Sequence, residues 1–295
     1  MELECFVEIK ERISEANSIG LLADEILKNP IIGTAIPILD QATNRRATAN
    51  AMTKSALVLL CGYFEGYLKK IVQEFSDILN DIKAPIGQMS DPILLALMEN
   101  SVQGDKNKCL PRVTKLKNSI TTASHHPFDH KILGGTKGNP TVDVVESIFD
   151  RIGIKDVIDK LSIVDYAVES TYTQTSQIDK RLREKLESAL SGHESTYESI
   201  AAIIEERWNP RQQRRPVGYV GVIQELLKTR NRIAHGENFG EQVTPAELFG
   251  YSQQLEKLCK GLNNLIVCEL ARYGAGATLP VNQELVPGAA SDLTQ

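Results

Sequence analysis

The chain has 295 residues, of which 42% are hydrophobic and 24% are charged, and its formal net charge is -5. These values are typical of a soluble globular protein and exclude a surface that is positively charged throughout. No stretch approaches the roughly 18 consecutive apolar residues of a membrane span, and residues 1–5 lack the basic and apolar regions of a signal peptide. We therefore expect a cytoplasmic protein without membrane association.

The five cysteines form an odd set without a Cys-x-x-Cys pair, and no Cys/His spacing typical of a zinc site is present. Cys61, Cys259 and Cys268 lie in apolar helical contexts, where a thiol behaves as a small hydrophobic group. We expect all five thiols to be reduced, and we predict neither a metal site nor a cofactor.

The first clear element in the chain is a long helix over about residues 46–80. Apolar side chains recur there at steps of three and four residues, which is the period of a helix that buries one face. They are Leu57, Phe64, Leu68, Ile71, Phe75 and Leu79. Asn80, Asp81 and Pro85 end the pattern.

Glu65 lies at the margin of this apolar stripe, where an unpaired carboxylate would be costly to bury. One interpretation is that Glu65 pairs with Arg230 or Arg232 and supports that arginine. The other is that it reaches solvent or pairs with Lys69, four residues along the same helix.

Residues 101–140 are rich in glycine and proline, with short apolar runs between them. This composition favours an irregular insertion between the helices of a bundle, and we extend the insertion to residues 81–175. The histidines of residues 125–130 have no further metal ligands nearby, and the glycine-rich residues 134–138 lack the spacing of a phosphate-binding loop.

Helical periodicity returns at about residues 176–190 and 196–208, and a basic segment follows over residues 207–232, where Glu225 is the only acid. Such a segment on an acidic chain can hold an anionic ligand locally, although a solvated basic face is the alternative. The candidate RNA-backbone contacts are Arg207, Arg211, Arg214, Arg215 and Lys228.

Two helices close the predicted fold. One opens near Pro216 and runs to Gly236, and the other begins with the capping box of residues 244–247 and runs to about Tyr273. Residues 275–295 are predicted to be disordered. Strand signals are few and scattered, so the predicted class is all-α.

Residues 230–236, Arg-Asn-Arg-Ile-Ala-His-Gly, place two arginines, an asparagine and a histidine at a helix end. Asn231 and His235 are four residues apart and share a face, whereas Arg230 and His235 are separated by about 140° around the helix axis. Arg230 and His235 converge only if the helix loosens, if the long arginine wraps around it, or if a second copy supplies a partner.

The residue types suit RNA cleavage through the ribose 2′-hydroxyl. A histidine accepts and returns protons near neutral pH, an arginine holds a phosphate through its planar fork, and an asparagine can orient either group. The alternative is a histidine favoured by the C-terminal helix dipole, with exposed arginines beside it.

Residues 230–236 resemble the Arg-x(4)-His motif of the HEPN superfamily, and residues 63–69 resemble the first long helix of a bacterial branch of that superfamily. The resemblance covers about residues 46–80 and 216–273. It implies a helical bundle, metal-independent endoribonuclease activity, and a homodimer whose two motifs form one composite cleft. Carried over, Arg230 and His235 are the catalytic pair and Asn231 is the polar residue after the arginine.

We therefore predict an all-α, HEPN-like helical bundle with a loop-rich helical insertion, in one domain over residues 1–274 with core helices at about 46–80 and 176–273. The predicted function is metal-independent cleavage of RNA in a toxin–antitoxin or anti-phage defence system, with an antitoxin or defence protein as a further partner. One alternative is a HEPN-like module that binds RNA, nucleotide or protein without cleavage, and another is a purely structural scaffold.

Overall fold

A computed structural model of the chain describes residues 2–29, 39–133, 139–173, 214–235 and 242–274, together with residues 36, 184, 187 and 188. The main helices, in chain order, are α1 (Glu4–Lys28), α2 (Ala42–Asp81), α3 (Asp91–Val102), α4 (Lys106–Thr121), α5 (Val142–Ile152), α6 (Val157–Tyr166), α7 (Tyr219–His235) and α8 (Pro245–Arg272). Two short 3-10 helices lie at Ile86–Gln88 and His130–Ile132. The described residues contain two isolated β-bridges and no strand, which confirms the all-α prediction.

The long α2 forms the spine of the bundle and confirms the helix predicted over residues 46–80. All six apolar residues of the predicted stripe are buried, and α1 packs along α2 through Phe6, Ile9 and Ile13. The sequence analysis did not predict α1. Tyr67 of α2 donates a hydrogen bond from its hydroxyl to the carbonyl oxygen of Cys259 in α8, at 2.8 Å, so α2 is tied to the last helix as well.

The capping box of α8 forms as predicted. The backbone amide of Glu247 donates to the Thr244 hydroxyl at 3.2 Å, and the Glu247 carboxylate accepts from the Thr244 amide at 2.8 Å. These two bonds satisfy amides that the first turn of a helix leaves without partners. The helix ends at Arg272, and Gly274 follows with a φ of +80°.

The region between α2 and α7 is more helical than its composition predicts. Helix α4 forms within residues 101–140 and continues past Pro111, although proline removes one hydrogen bond of the helix. Apolar residues of this region, among them Leu97, Phe149 and Ile152, belong to the same hydrophobic core as α2 and α8.

Helix α7 packs against α2, α5, α6 and α8, with Tyr219, Ile223 and Leu226 buried. It begins close to the predicted position because the Tyr219 amide donates to the Ser162 hydroxyl of α6, at 3.0 Å. Gly218 precedes it with a φ of +57°, and a Cβ there would collide with Ser162. The approach of α7 to α6 therefore requires glycine at this position.

The helices predicted at residues 176–190 and 196–208 lie outside the described residues, apart from residues 184, 187 and 188, and so do residues 275–295. Among the helices that are described, none is both long enough and apolar enough to span a membrane.

Candidate active site at the end of helix α7

At the last turns of α7, one side-chain oxygen accepts hydrogen bonds from two other polar side chains. Arg230 donates from Nη1 to Oδ1 of Asn231 at 3.0 Å, and Asn139 donates from Nδ2 to the same oxygen at 3.4 Å. Asn231 therefore holds the guanidinium of its neighbour and is itself held by the segment that precedes α5.

This arrangement bears on the angular separation between Arg230 and His235. Asn231 shares a helix face with His235, four residues further on, and the hydrogen bond draws the Arg230 guanidinium toward that face. The Arg230 guanidinium is thus held at the Asn231 side chain, and the convergence of Arg230 with His235 stays a prediction. His235, the last residue of α7, is exposed, whereas Arg230 and Asn231 are half-buried.

The positive charge of Arg230 also acts on α2. Burial raises the pKa of the Cys61 thiol to about 12, and the nearby guanidinium of Arg230 opposes that rise. The charge of Arg230 is therefore close enough to α2 to act on Cys61. The thiol stays protonated at neutral pH and is a packing group.

Glu65, one turn after Cys61, follows the second of its two predicted interpretations. Its carboxylate forms an ion pair with Lys69 at 2.7 Å, and the described residues contain no ion pair between Glu65 and Arg230 or Arg232. The physical reason is that the Glu65 side chain keeps 30% of its exposure, so its own helix and the solvent can satisfy it. Arg232 is half-buried on α7.

Arg214 and Arg215, two of the predicted RNA contacts, make contacts within the fold. Arg214 is 14% exposed, pairs with Glu146 at 3.0 Å and lies 4.4 Å from the ring centre of Tyr172. Arg215 donates from its side chain to the carbonyl oxygen of Ser170. Both cations contact the segment after α6, and the charge of Arg214 is paired with Glu146.

The other basic candidates differ in where they lie. Lys228 is exposed on α7 and forms a loose ion pair with Glu225 at 3.6 Å, so it remains accessible to a ligand. Arg207 and Arg211 lie outside the described residues.

Asn139 is the site residue that the sequence analysis missed. It contacts Asn231 across 92 positions in the chain, and it follows the glycine-rich residues 134–138, which we had set aside as lacking the spacing of a phosphate loop. No local pattern links Asn139 to α7, because the contact is made by the packing of α5 against α7.

The histidines of residues 125–130 are engaged in the fold. His126 Nδ1 is 3.1 Å from the Ser119 hydroxyl of α4, and His125 Nδ1 is 3.1 Å from the carbonyl oxygen of Ala84. In the parts of the chain that the structure describes, no group of three or more His, Cys, Asp or Glu side chains is placed to hold a metal ion.

A helical bundle in which arginine, asparagine and an exposed histidine share the end of one core helix defines a protein of the HEPN class. The family model for RiboL-PSP-HEPN matches residues 8–267, and the chain belongs to this family of the HEPN superfamily. Domains of this kind are generally ribonucleases that act on RNA. Searches of the curated proteins and of the solved structures gave no match.

Proposed function

We propose that the protein is an endoribonuclease that cleaves RNA without a metal ion, by attack of a ribose 2′-hydroxyl on the adjacent phosphate. The observation that carries the proposal is the shared hydrogen bonding of Arg230, Asn231 and Asn139, on the helix face that also presents the exposed His235. An oriented cation beside an accessible imidazole is the minimum set of groups for this reaction.

In the proposed reaction the His235 imidazole accepts the proton of the 2′-hydroxyl as the oxygen attacks phosphorus. The bond between phosphorus and the 5′-oxygen of the next nucleotide breaks, and that oxygen gains a proton as it leaves. The products are a 2′,3′-cyclic phosphate and a 5′-hydroxyl. Arg230 stabilises the negative charge that develops on the phosphate oxygens in the pentacovalent transition state.

The hydrogen bond from Arg230 to Asn231 supports a positioning role for the asparagine. An arginine side chain has many rotamers, and fixing its guanidinium before the substrate binds avoids that entropy cost in the transition state. Asn231 thus acts on the phosphate through Arg230, and Lys228 is the exposed cation of α7 that we propose as an RNA-backbone contact.

We further propose that the active species is a homodimer in which two α7 motifs face one RNA strand. One His235 can accept the proton of the 2′-hydroxyl and return it to the leaving oxygen, and a dimer lets the arginine at that phosphate come from the partner copy. The proposed setting is a toxin–antitoxin or anti-phage defence system, in which a partner protein restrains the activity.

The test is to incubate purified protein with total RNA in EDTA and to map the ends of the products. The expected result is 2′,3′-cyclic phosphate and 5′-hydroxyl ends, with cleavage abolished in His235→Ala and Arg230→Ala. His130→Ala, which changes a histidine in the second 3-10 helix, is the matched control and retains cleavage. Salt-sensitive RNA binding without any cleavage would instead assign the protein to the non-catalytic alternative.

A further inference from the structure

Helices α3 and α4 form a hairpin whose outer face carries an unusual amount of exposed apolar surface. Three residues of α3 and three of α4 are between 37% and 66% exposed: Leu95, Met98 and Val102, and Leu110, Val113 and Ile120. Met98, Val102, Val113 and Ile120 line a groove of about 260 Å³ with the buried Leu116 at its base. We call this feature the α3–α4 groove.

The exposed residues repeat at the spacing of a helix interface. On α3 the exposed apolar residues are at positions 95, 98 and 102, and on α4 they are at 110, 113 and 120. On α4, Lys106 and Lys117 occupy the remaining positions of the same three- and four-residue spacing. Met98 and Val102 of α3 and Val113 and Ile120 of α4 line one groove, which leaves a place where the apolar stripe of a third helix fits.

The charge of α4 indicates which polar residues a helix bound in the α3–α4 groove would carry beside its apolar stripe. Residues 106–121 contain five basic residues and no acid, and four of the five are exposed. A helix that fills the groove therefore gains ion pairs if acids line the edge of its apolar stripe that faces α4, whereas α3 carries the exposed acids Asp91 and Glu99 and no base. A second copy of the same groove is disfavoured because its lysines would face these lysines.

The shape and apolar character of the groove decide between the remaining classes of ligand. A phosphate backbone would pair with the lysines but would leave Met98, Val102 and Val113 exposed. A membrane surface favours a convex apolar face, whereas this face is a concave groove between two helices. A protein helix satisfies both the apolar residues and the charge.

Hydrogen bonds and buried leucines fix the shape of the α3–α4 hairpin that forms the groove. Arg112 donates to the carbonyl oxygen of Gln103 in the turn and to that of Lys108 at 3.1 Å, which ties α4 to the end of α3. Leu97 of α3 and Leu116 of α4 anchor the hairpin in the core. A preformed groove avoids most of the ordering cost of binding.

We propose that the α3–α4 groove docks an amphipathic helix of a partner protein, whose apolar stripe is flanked by acidic residues. This inference is independent of the cleavage reaction, since none of its residues belongs to the α7 motif.

The probe for this proposal is a synthetic helical peptide with leucines at steps of three and four and glutamates beside them, labelled for fluorescence anisotropy. The full chain is expected to bind it saturably, with a Kd of about 1–100 µM. Val113→Asp is expected to weaken binding by about tenfold or more. Val7→Asp, which makes the same substitution at a valine of similar exposure on α1, is the matched control and leaves binding unchanged. Circular dichroism verifies that both variants are folded.

A charge exchange tests the acidic flanks. The variant with Lys106→Glu and Lys117→Glu is expected to lose affinity for the acidic peptide. It is expected to bind instead a peptide with lysines in place of the glutamates. The proposal is overturned if wild-type protein binds both peptides equally or neither saturably, or if Val113→Asp has no effect. It is also overturned if Val113→Asp abolishes binding of single-stranded RNA or phosphatidylserine vesicles, because the groove would then serve another class of ligand.

Discussion

At the end of α7, the Oδ1 atom of Asn231 accepts hydrogen bonds from both Arg230 and Asn139. A hydrogen bond between neutral groups contributes about 0.5–1.5 kcal/mol and one with a charged partner about 1.5–3 kcal/mol. When such a bond is needed in the transition state, these values correspond to about a two- to tenfold and about a ten- to 150-fold change in rate. The position of the arginine, rather than its presence alone, is thus expected to set the rate of RNA cleavage.

We predict that Asn231→Ala slows single-turnover cleavage by about tenfold, because it removes the acceptor that fixes the Arg230 guanidinium. Asn139→Ala is expected to slow cleavage by about threefold, because it removes only one hydrogen bond to the Asn231 side chain. Because both act through Arg230, the double variant should be no slower than Asn231→Ala, and the pH profile should keep its shape because His235 is unchanged. Additive losses, or a displaced pH profile, would contradict this coupling. Ser55→Ala on α2 serves as the control.

His126 gives a prediction about stability and pH. Burial lowers the pKa of His126 below its usual value, with the positive charge of Lys115 acting in the same direction. The unfolded chain therefore binds a proton more readily than the folded one, so stability is complete above about pH 6.5 and falls as the pH drops below that value.

Urea unfolding at pH 7.5 and pH 5.5 measures this effect, and the loss of unfolding free energy on acidification should be smaller in His126→Asn than in wild-type protein. His130→Asn, at a more exposed histidine, should keep the wild-type loss. An identical pH dependence in wild-type protein and His126→Asn would show that this histidine does not contribute.

At the scale of elements, the Glu146 side chain of α5 organises the start of α6. Its carboxylate oxygens accept hydrogen bonds from the amides of Val157 and Ile158, each at 2.9 Å, and it also pairs with Arg214. The carboxylate stabilises the positive end of the α6 dipole, while Arg214 neutralises its charge in a mostly buried setting. This packing engages the Arg214 side chain within the fold.

We predict that Arg214→Ala lowers the free energy of unfolding by about 3 kcal/mol, since it leaves the Glu146 carboxylate buried without its cation. Lys228→Ala, at an exposed position, should leave stability within about 0.5 kcal/mol of wild-type protein and reduce the salt dependence of RNA binding. Urea unfolding and binding titrations at several salt concentrations separate the two effects. The prediction is wrong if Arg214→Ala is fully stable and binds RNA less tightly.

The elements that could be predicted from the sequence are those whose signals are local. The stripe of α2 and the capping box of α8 lie within a few turns of chain, and the structure confirms both. Helix α4 was missed because Pro111 and the flanking glycines signal a break that the hairpin packing overrides. Asn139 and the partner of Arg214 were missed because they depend on contacts between distant elements.

At the scale of the whole molecule, the central prediction concerns the dimer. If two α7 motifs build one cleft, purified protein should sediment as a dimer at micromolar concentration, and specific activity should fall on dilution below the dimer Kd. Analytical ultracentrifugation and cleavage assays over the same concentration range test both expectations. A fully active monomer would contradict the composite cleft.

Mixing inactive variants gives a sharper test of the same point. Arg230→Ala and His235→Ala homodimers each lack one group entirely, whereas their heterodimer holds one intact arginine and one intact histidine. Cleavage should therefore reappear on mixing, at a fraction of the wild-type rate. The control mixes two preparations of His235→Ala and should stay inactive.

The hydrogen bond that joins Asn139 to Asn231 spans 92 positions of the chain. Two proteins with an identical Arg-Asn-x-x-x-His-Gly heptapeptide would therefore be expected to differ in turnover through a single substitution far upstream of the motif. Natural variants that keep the heptapeptide but change residue 139 are expected to turn over RNA more slowly. Classifying a protein as active therefore requires both the heptapeptide and the residue that donates a hydrogen bond to its asparagine. On the proposed mechanism, the ability to cut RNA would depend on two parts of the polypeptide that natural variation can alter separately.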